Sequence, residues 1–143
     1  ELGNALRVGL NGEGKNAGQL YVSTYRTKVS DDEKIKPGVW HHLVLTKRGD
    51  TFTLYLDGQK RFEFETPFAE KEAAFDYARS GTYAFPVVFG GSSVDAPFME
   101  NRRLNIRSTF EGKIDDIAIF ESALSADEVK SIFARPVPFA GEQ

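Results

Sequence analysis

The amino-acid sequence predicts an all-β fold in which residues 39–65 form an antiparallel meander of three strands. Apolar and polar side chains alternate through residues 51–57 and again through residues 59–65, which is the period of a half-buried strand. A tight turn at residues 48–50 separates the first two strands, and Asp57-Gly58 is a strong signal for a hairpin turn. Because residues 39–46 carry apolar side chains on both faces, including Trp40, we expect this first strand to lie centrally in its sheet.

The meander predicts one buried layer of side chains. On its second and third strands the apolar residues share a face, because successive side chains of a strand point to opposite sides. We therefore expect five side chains to face inward together: Phe52, Leu54, Leu56, Phe62 and Phe64. The opposite face of the third strand carries Arg61, Glu63 and Glu65, and we expect that face to be in water.

Pattern and composition outline the rest of the chain. Residues 5–10 and 19–25 read as a hairpin around a turn rich in Gly and Asn, and residues 31–34 as a short charged loop. Residues 69–79 are rich in helix formers and predict a helical insertion. Residues 112–120 predict the last long strand of the domain.

A short helix is predicted near the end of the sequence. Ser125 is followed three residues later by Glu128, which is the spacing of a capping box at a helix N-terminus. Arg135-Pro136 ends the helix, because proline cannot continue it. We therefore assign residues 1–136 to one domain and residues 137–143 to a tail or linker.

Composition excludes several classes of protein. A chain of 143 residues fits one domain, and a formal net charge of −3 argues against a nucleic-acid partner, whose phosphates require a basic face. The absence of cysteine excludes disulfides and thiolate metal sites. No apolar run is long enough to cross a bilayer and no signal peptide is present, so we expect no membrane partner.

Two parts of the chain carry a family resemblance. The first is WHHLVLT at residues 40–46, followed by LYLDG at residues 54–58. The second is FEGKIDDIAIF at residues 110–120, followed by ALSADEV at residues 123–129. Together they resemble the laminin G-like, pentraxin-like jelly rolls of the concanavalin A superfamily, over roughly Ala5 to Phe133.

The resemblance implies a more specific fold: an all-β, antiparallel two-sheet jelly-roll sandwich with a helical insertion and a short C-terminal helix. Relatives have one or two strands before the point at which this chain enters its first one. We therefore expect the first strands of the sandwich to be missing from this sequence. An unpaired sheet edge is prone to association, so we expect neighbouring domains or a separate segment to complete the sandwich.

The two histidines of the chain, His41 and His42, are adjacent. Neighbouring strand residues point to opposite faces, so the pair cannot chelate one ion. A catalytic role would need a nucleophile and a carboxylate beside one ring, which a sequence does not show. The resemblance implies instead that His42 is a framework residue, hydrogen-bonded near Trp40.

Glu63 and Glu65 raise the possibility of glycoside hydrolysis. They share one face of a strand, and retaining glycosidases use two carboxyl groups roughly 5 Å apart. Some jelly-roll glycosidases of the superfamily carry Glu-x-Asp-x-x-Glu on a strand, but this chain lacks the third carboxylate, and Pro67 interrupts the strand. The favoured interpretation is a solvated face that also carries Arg61.

Asp115 and Asp116 are candidate metal ligands. In many relatives an aspartate of this motif helps to hold a structural Ca²⁺, and the resemblance implies the same here. Calcium takes several hard oxygen ligands, and two aspartates are too few by themselves. The alternative is that the carboxylates accept hydrogen bonds from the backbone of a nearby loop.

Candidate ligand contacts are aromatic and arginine residues outside the meander: Tyr25, Arg26, Tyr83, Phe98, Arg102 and Arg103. Aromatic faces stack on sugar rings, and arginine forks pair with carboxylates. The leading hypothesis is a non-catalytic recognition module of a larger exported protein, extracellular or periplasmic, that binds a glycan or a protein surface. The alternatives are a structural packing domain without a free ligand and a polysaccharide-cleaving enzyme.

Overall fold

The computed structural model describes residues 6–24, 27–66, 88–93, 106–107 and 109–135. The strands are β1 (Arg7–Leu10), β2 (Gln19–Ser23), β3 (Lys28–Lys34), β4 (Leu43–Arg48), β5 (Thr51–Leu56), β6 (Gln59–Glu65), β7 (Ser92–Ser93) and β8 (Ile106–Arg107). A 3-10 turn at Gly14–Asn16 lies between β1 and β2, and the helix α1 spans Ala126–Phe133. The predicted helical insertion at residues 69–79 and the predicted tail at residues 137–143 lie outside the described residues.

The described strands form two antiparallel sheets of three strands, with the orders β1-β2-β3 and β4-β5-β6, and a short β7-β8 ribbon. In the first sheet, Val8 lies opposite Val22. In the second, Leu54 lies opposite Leu45 on one side and Phe62 on the other. The predicted fold class and the three-strand meander are therefore confirmed, and the arrangement is that of a partial β-sandwich.

A layer of apolar side chains lies between the two three-stranded sheets. Leu20 and Val22 of β2 pack with Leu54 and Leu56 of β5, and all four are less than a tenth exposed. Phe62 and Phe64 of β6 pack against this cluster. The rings of Phe52 and Phe64 stack with their centroids 5.4 Å apart. The inward layer predicted from the alternation of β5 and β6 is therefore confirmed.

The central strand of the described meander is β5, and the prediction that residues 39–46 form one strand buried on both faces was wrong. Strand β4 begins only at Leu43, and Trp40 lies before it with 65% of its surface exposed. All side chains from Phe52 to Leu56 are buried, on both faces of β5. The reason is position: β5 has a hydrogen-bonded neighbour on each side, whereas β4 has only β5 among the described strands.

Residues 31–34, predicted as a charged loop, belong to strand β3. Asp31 is only 7% exposed, and it accepts hydrogen bonds from Arg61 of the other sheet, at 2.7 Å from Nε and 3.2 Å from Nη2. Arg61 also donates to Glu33, at 2.8 Å. This ion-paired group, the inter-sheet clamp, explains why a charged segment forms a strand: its buried carboxylate has a cation across the interface.

A β-bulge places Arg61 in the inter-sheet clamp. Leu54 pairs with Phe62 but Tyr55 pairs with Lys60, so Arg61 has no partner on β5. Such an extra residue bends its strand and redirects its side chain. Arg61 therefore leaves the solvated face on which strict alternation had placed it, and it is half-buried against β3.

Residues 112–120, predicted as the last long strand, contain no strand in the structure, and all their side chains are exposed. Asp116 lies in the middle of this segment with a φ of +51°, in the left-handed region that interrupts an extended backbone. No described strand pairs with the segment. Without a hydrogen-bonded neighbour, the apolar alternation of the segment does not by itself form a strand.

Helix α1 begins at the predicted capping box. The hydroxyl of Ser125 accepts a hydrogen bond from the backbone N–H of Glu128 at 3.3 Å, and the N–H of Ser125 donates to Glu128 Oε2 at 2.7 Å. The latter bond, together with one from the Ser125 hydroxyl, lowers the pKa of Glu128. On the inner face of the helix Val129 is fully buried. Within the described residues no helix is both long and apolar enough to span a membrane.

Helix α1 rests on the turn between β5 and β6. Gly58 has a φ of +76°, and a side chain at this position would begin 3.1 Å from the ring of Phe133. Glycine is required twice here, once for the left-handed backbone and once for the close approach of the ring. The ring of His42, which lies just before β4, stacks on Phe133, with centroids 5.9 Å apart.

We expect Leu54→Ala to lower the free energy of unfolding by about 2–5 kcal/mol, because it leaves a cavity between the two sheets. The matched control is Ile119→Ala, which removes as many carbon atoms from a side chain that is 80% exposed. The control should change stability by no more than about 0.5 kcal/mol. Urea denaturation measures both, and equal losses in the two variants would contradict the described core.

We expect Asp31→Ala to destabilise the protein by about 3 kcal/mol, because Arg61 would remain half-buried without its main partner. Glu33→Ala removes the other carboxylate that Arg61 contacts, but the Glu33 side chain is 75% exposed. Its loss should cost less than about 1 kcal/mol. The comparison is made by thermal and urea unfolding. A larger loss for Glu33→Ala than for Asp31→Ala would show that the inter-sheet clamp is assigned to the wrong carboxylate.

Candidate functional site

The predicted ligand contacts all fall outside the described residues. This holds for Tyr25, Arg26, Tyr83, Phe98, Arg102 and Arg103. Their role in binding therefore stays a prediction. The described residues offer a different candidate site, which lies around the β5–β6 turn and the loop that precedes β4.

The turn between β5 and β6 is organised by Asp57. This residue has a φ of +51°, which an aspartate tolerates better than most residues. Its Oδ1 accepts a hydrogen bond from the backbone N–H of His42 at 2.9 Å, and its own N–H donates to the carbonyl of His42 at 2.8 Å. The turn is thereby tied to the chain just before β4.

The second carboxylate oxygen of Asp57 holds His41. The Oδ2 atom lies 2.7 Å from His41 Nδ1, and the other ring nitrogen, Nε2, lies 2.8 Å from the carbonyl oxygen of Lys36. The hydrogen bond to Asp57 raises the pKa of His41, and the bond to the Lys36 carbonyl adds to the rise. The imidazole ring of His41 therefore joins residue 36 to the β5–β6 turn.

His42 packs and bonds as a framework residue, and its hydrogen bonds among the described residues come from its backbone. The backbone of His42 bonds to Asp57, and its ring stacks on Phe133. The Nδ1 atom of this ring is buried and has no hydrogen-bond partner within the described part of the chain. The side-chain hydrogen bonds near Trp40 belong to His41 instead.

The contacts of His41 define what we call the Trp40 loop, residues 36–41. One end is held through the carbonyl of Lys36 and the other through the ring of His41. Between them, Val39 is 53% exposed and Trp40 is 65% exposed. The single tryptophan of the chain is thus presented to solvent on a loop fixed at both ends. The sequence did not reveal this exposed loop, because the apolar pattern of residues 43–46 was taken to continue through Trp40, which was therefore placed inside the strand.

Glu63 of β6 does not have the surroundings of a catalytic acid. Glu63 is exposed and accepts hydrogen bonds from Lys60 Nζ and Thr53 Oγ1, each at 2.9 Å. The bond to Lys60, followed by the bond to Thr53, lowers the pKa of Glu63. The general acid of a glycosidase needs the opposite shift, so that it holds a proton at neutral pH.

Asp115 and Asp116 are both exposed, and Asp115 Oδ1 accepts a hydrogen bond from the N–H of Asp116 at 2.9 Å. This bond joins neighbouring residues, and the predicted metal-binding role of the two aspartates stays a prediction. Among the described residues no group of three or more His, Asp or Glu side chains is arranged to hold a metal. These two aspartates alone do not supply the six to eight oxygens that calcium takes.

A second exposed feature is the apolar segment of residues 110–120. Its large side chains are between 45% and 80% exposed: Phe110, Ile114, Ile117, Ile119 and Phe120. The segment is attached to residues 88–93 through the N–H of Phe110, which donates to the carbonyl of Gly90 at 2.8 Å. So many large apolar side chains close together in the sequence are unusual for a surface in water.

Comparison with known proteins gives a family and one structural neighbour. No curated protein matches the chain. Among solved structures, an S-layer domain-containing protein (residues 221–444) from Clostridium thermocellum is similar, with a TM-score of 0.46 and 24% identity. The match covers 92% of this chain and 57% of that one, so the chain spans little more than half the length of this neighbour.

A laminin G family model, described as the concanavalin A-like lectin/glucanases superfamily, matches residues 2–130. The matched residues include β2 and β5, whose side chains form the core, and they also include the capping box of α1. It agrees with the two antiparallel sheets and with the motifs at residues 40–58 and 110–129. The chain therefore belongs to the laminin G-like branch of the concanavalin A-like lectin/glucanases superfamily.

Proposed function

We propose that this domain is a non-catalytic recognition module that binds a glycan through the Trp40 loop. The observation that carries the proposal is the 65% exposure of Trp40 on a loop held at both ends. Tryptophan is costly to leave in water, and it is enriched among the residues that dominate binding energy. A loop fixed in advance also loses little conformational freedom when a ligand binds.

The chemistry around Trp40 favours a sugar over a charged ligand. The flat apolar face of an indole ring stacks on the apolar face of a sugar ring, and the indole N–H can donate to a hydroxyl. Val39 adds exposed apolar surface beside it. The contacts predicted outside the described residues, such as Tyr83 and Phe98, have the same stacking chemistry and are proposed to extend the site.

We also propose the setting of the module. A superfamily that includes lectins suggests an extracellular or periplasmic domain of a larger exported protein. Loops on a rigid β-scaffold commonly carry recognition, and the Trp40 loop is such a loop. Glycoside hydrolysis is not part of the proposal, since the lowered pKa of Glu63 is unsuited to a general acid.

A second candidate is a packing domain that has no free ligand. It is favoured by the exposed apolar side chains of residues 110–120, which resemble an uncovered interior more than a sugar site. In this case a neighbouring domain of the same protein would cover the segment. The two candidates use different residues, so they can be separated by substitution.

We expect a glycan array to identify a ligand and Trp40→Ala to weaken its binding about 30-fold or more, as loss of an aromatic anchor does. The matched control is Ile119→Ala, which removes an even more exposed apolar side chain and should leave the affinity unchanged. Titration calorimetry measures both affinities, and circular dichroism checks that each variant is folded.

Three outcomes would contradict this proposal. Unchanged affinity in Trp40→Ala would place the ligand elsewhere. An array without a hit would favour the packing domain if, in addition, the backbone amides of residues 110–120 exchange hydrogen more slowly in the full-length gene product than in this domain alone. Release of reducing ends from the bound glycan, lost in Glu63→Gln, would favour the enzyme.

We further propose a structural calcium site at Asp115 and Asp116, which the family resemblance implies and which further oxygen ligands must complete. Calcium at millimolar concentration should then raise the melting temperature, because an ion that binds only the folded state stabilises that state. Asp115→Ala should abolish the rise, and Mg²⁺ at equal concentration should not reproduce it. A melting temperature indifferent to Ca²⁺ would end this proposal.

A further inference from the structure

Both ring nitrogens of His41 face hydrogen-bond acceptors. Nδ1 lies 2.7 Å from a carboxylate oxygen of Asp57, and Nε2 lies 2.8 Å from the carbonyl oxygen of Lys36. A carbonyl oxygen has no proton to donate, and neither has an ionised carboxylate. The two bonds therefore exist together only when both nitrogens of the ring carry hydrogen.

A neutral imidazole has one N–H and one lone pair. In that form, either the carboxylate of Asp57 or the carbonyl of Lys36 would face the lone pair at hydrogen-bond distance, and that contact would be repulsive. Reversing the ring does not help, since it would bring C–H groups toward both oxygens, and these prefer about 3.3–3.6 Å. The observed geometry is thus that of the imidazolium cation.

We propose that His41 is a proton-operated latch: its imidazolium form bonds to both Lys36 and the β5–β6 turn, and its neutral form gives up one of these two bonds and loosens the Trp40 loop. Loss of the ring proton removes one of the two bonds that hold residues 36–41 together. Val39 and Trp40 lie between the two bonded positions, so their presentation depends on the latch. The inference concerns the loop itself and does not rest on the identity of any ligand.

The charged surroundings of His41 are simple within the described residues. Asp57 is the one ionised side chain that acts on the ring, and Lys36 contributes its backbone carbonyl. Helix α1 reaches this region with the apolar ring of Phe133, which touches His42 and approaches Gly58. Burial of the ring opposes the charge, but the bonds to Asp57 and Lys36 outweigh it, and the pKa of His41 is raised above its ordinary value of 6.5.

The direction of the pH dependence follows from linkage. A histidine whose pKa is higher in the folded state binds its proton more tightly there, so the proton stabilises the fold. The contribution is fully present below pH 6.5, the ordinary value, and it is lost as pH rises through the raised pKa of the folded protein. The latch is therefore closed in mildly acidic solution and opens toward alkaline pH.

Nuclear magnetic resonance tests the latch directly, because the chain contains only two histidines. His42→Phe keeps an aromatic ring against Phe133 and leaves a single imidazole, which assigns His41. We expect His41 to titrate above pH 6.5 with the ring ¹⁵N shifts of an imidazolium below its midpoint. A neutral His41 ring at pH 6, or a midpoint at or below the ordinary value, would overturn the proposal.

The movement of the loop has its own reporter, since Trp40 is the only tryptophan. We expect its fluorescence, and its quenching by acrylamide, to change with pH at the midpoint found for His41. In Asp57→Asn, which tolerates the left-handed turn, this midpoint should fall, because the bond that raises the pKa of His41 most is weakened. Asp50→Asn neutralises a carboxylate in the β4–β5 turn and should leave the midpoint of His41 unchanged.

Two results in this second experiment would refute the latch. One is a tryptophan signal that does not follow the titration of His41. The other is an equal shift of the His41 midpoint in Asp50→Asn and Asp57→Asn. If Asp57→Asn does not fold, His41→Gln takes its place, and the pH-dependent change in Trp40 quenching should disappear. A change that persists without the imidazole would also refute the proposal.

Discussion

The contact between the two sheets is the foundation of this molecule. Leu20 and Val22 meet Leu54 and Leu56 across the interface, and all of them are almost completely removed from water. Burying a side chain of this size contributes about 1.5–3 kcal/mol, so a few of them outweigh any other interaction described in the chain. The pair formed by Asp31 and Arg61 crosses the same interface. A buried ion pair of this kind gains little net stability, and here it links β3 to β6 across the interface.

The elements that follow from local pattern were predictable from the sequence. The alternation in β5 and β6, the Asp57-Gly58 turn and the capping box at Ser125 each depend on residues close together in the chain. They appear in the structure as expected, because their side-chain periods and backbone preferences are local properties. The first hairpin was predicted for the same reason.

What the sequence did not reveal depends on distant partners. Strand β3 was hidden because its buried carboxylate is neutralised by Arg61 from another sheet, and Arg61 itself is turned inward by a bulge that no local pattern announces. Residues 112–120 alternate like a strand, but Asp116 takes a left-handed backbone. In the candidate site, Asp57 was recognised as a turn residue only. Its bonds to the histidines before β4 join chain segments that are separate in sequence.

Helix α1 packs on the β5–β6 turn, and this packing has a consequence for how the chain folds. The packing site of Phe133 is formed by Gly58, which leaves space for the ring, and by the ring of His42, which stacks on it. This packing site does not exist until the strands of the meander have paired. Its contacts with Phe133 join residues far apart in sequence, and such contacts form slowly. We therefore expect the helix to dock only after the hairpin beneath it has formed.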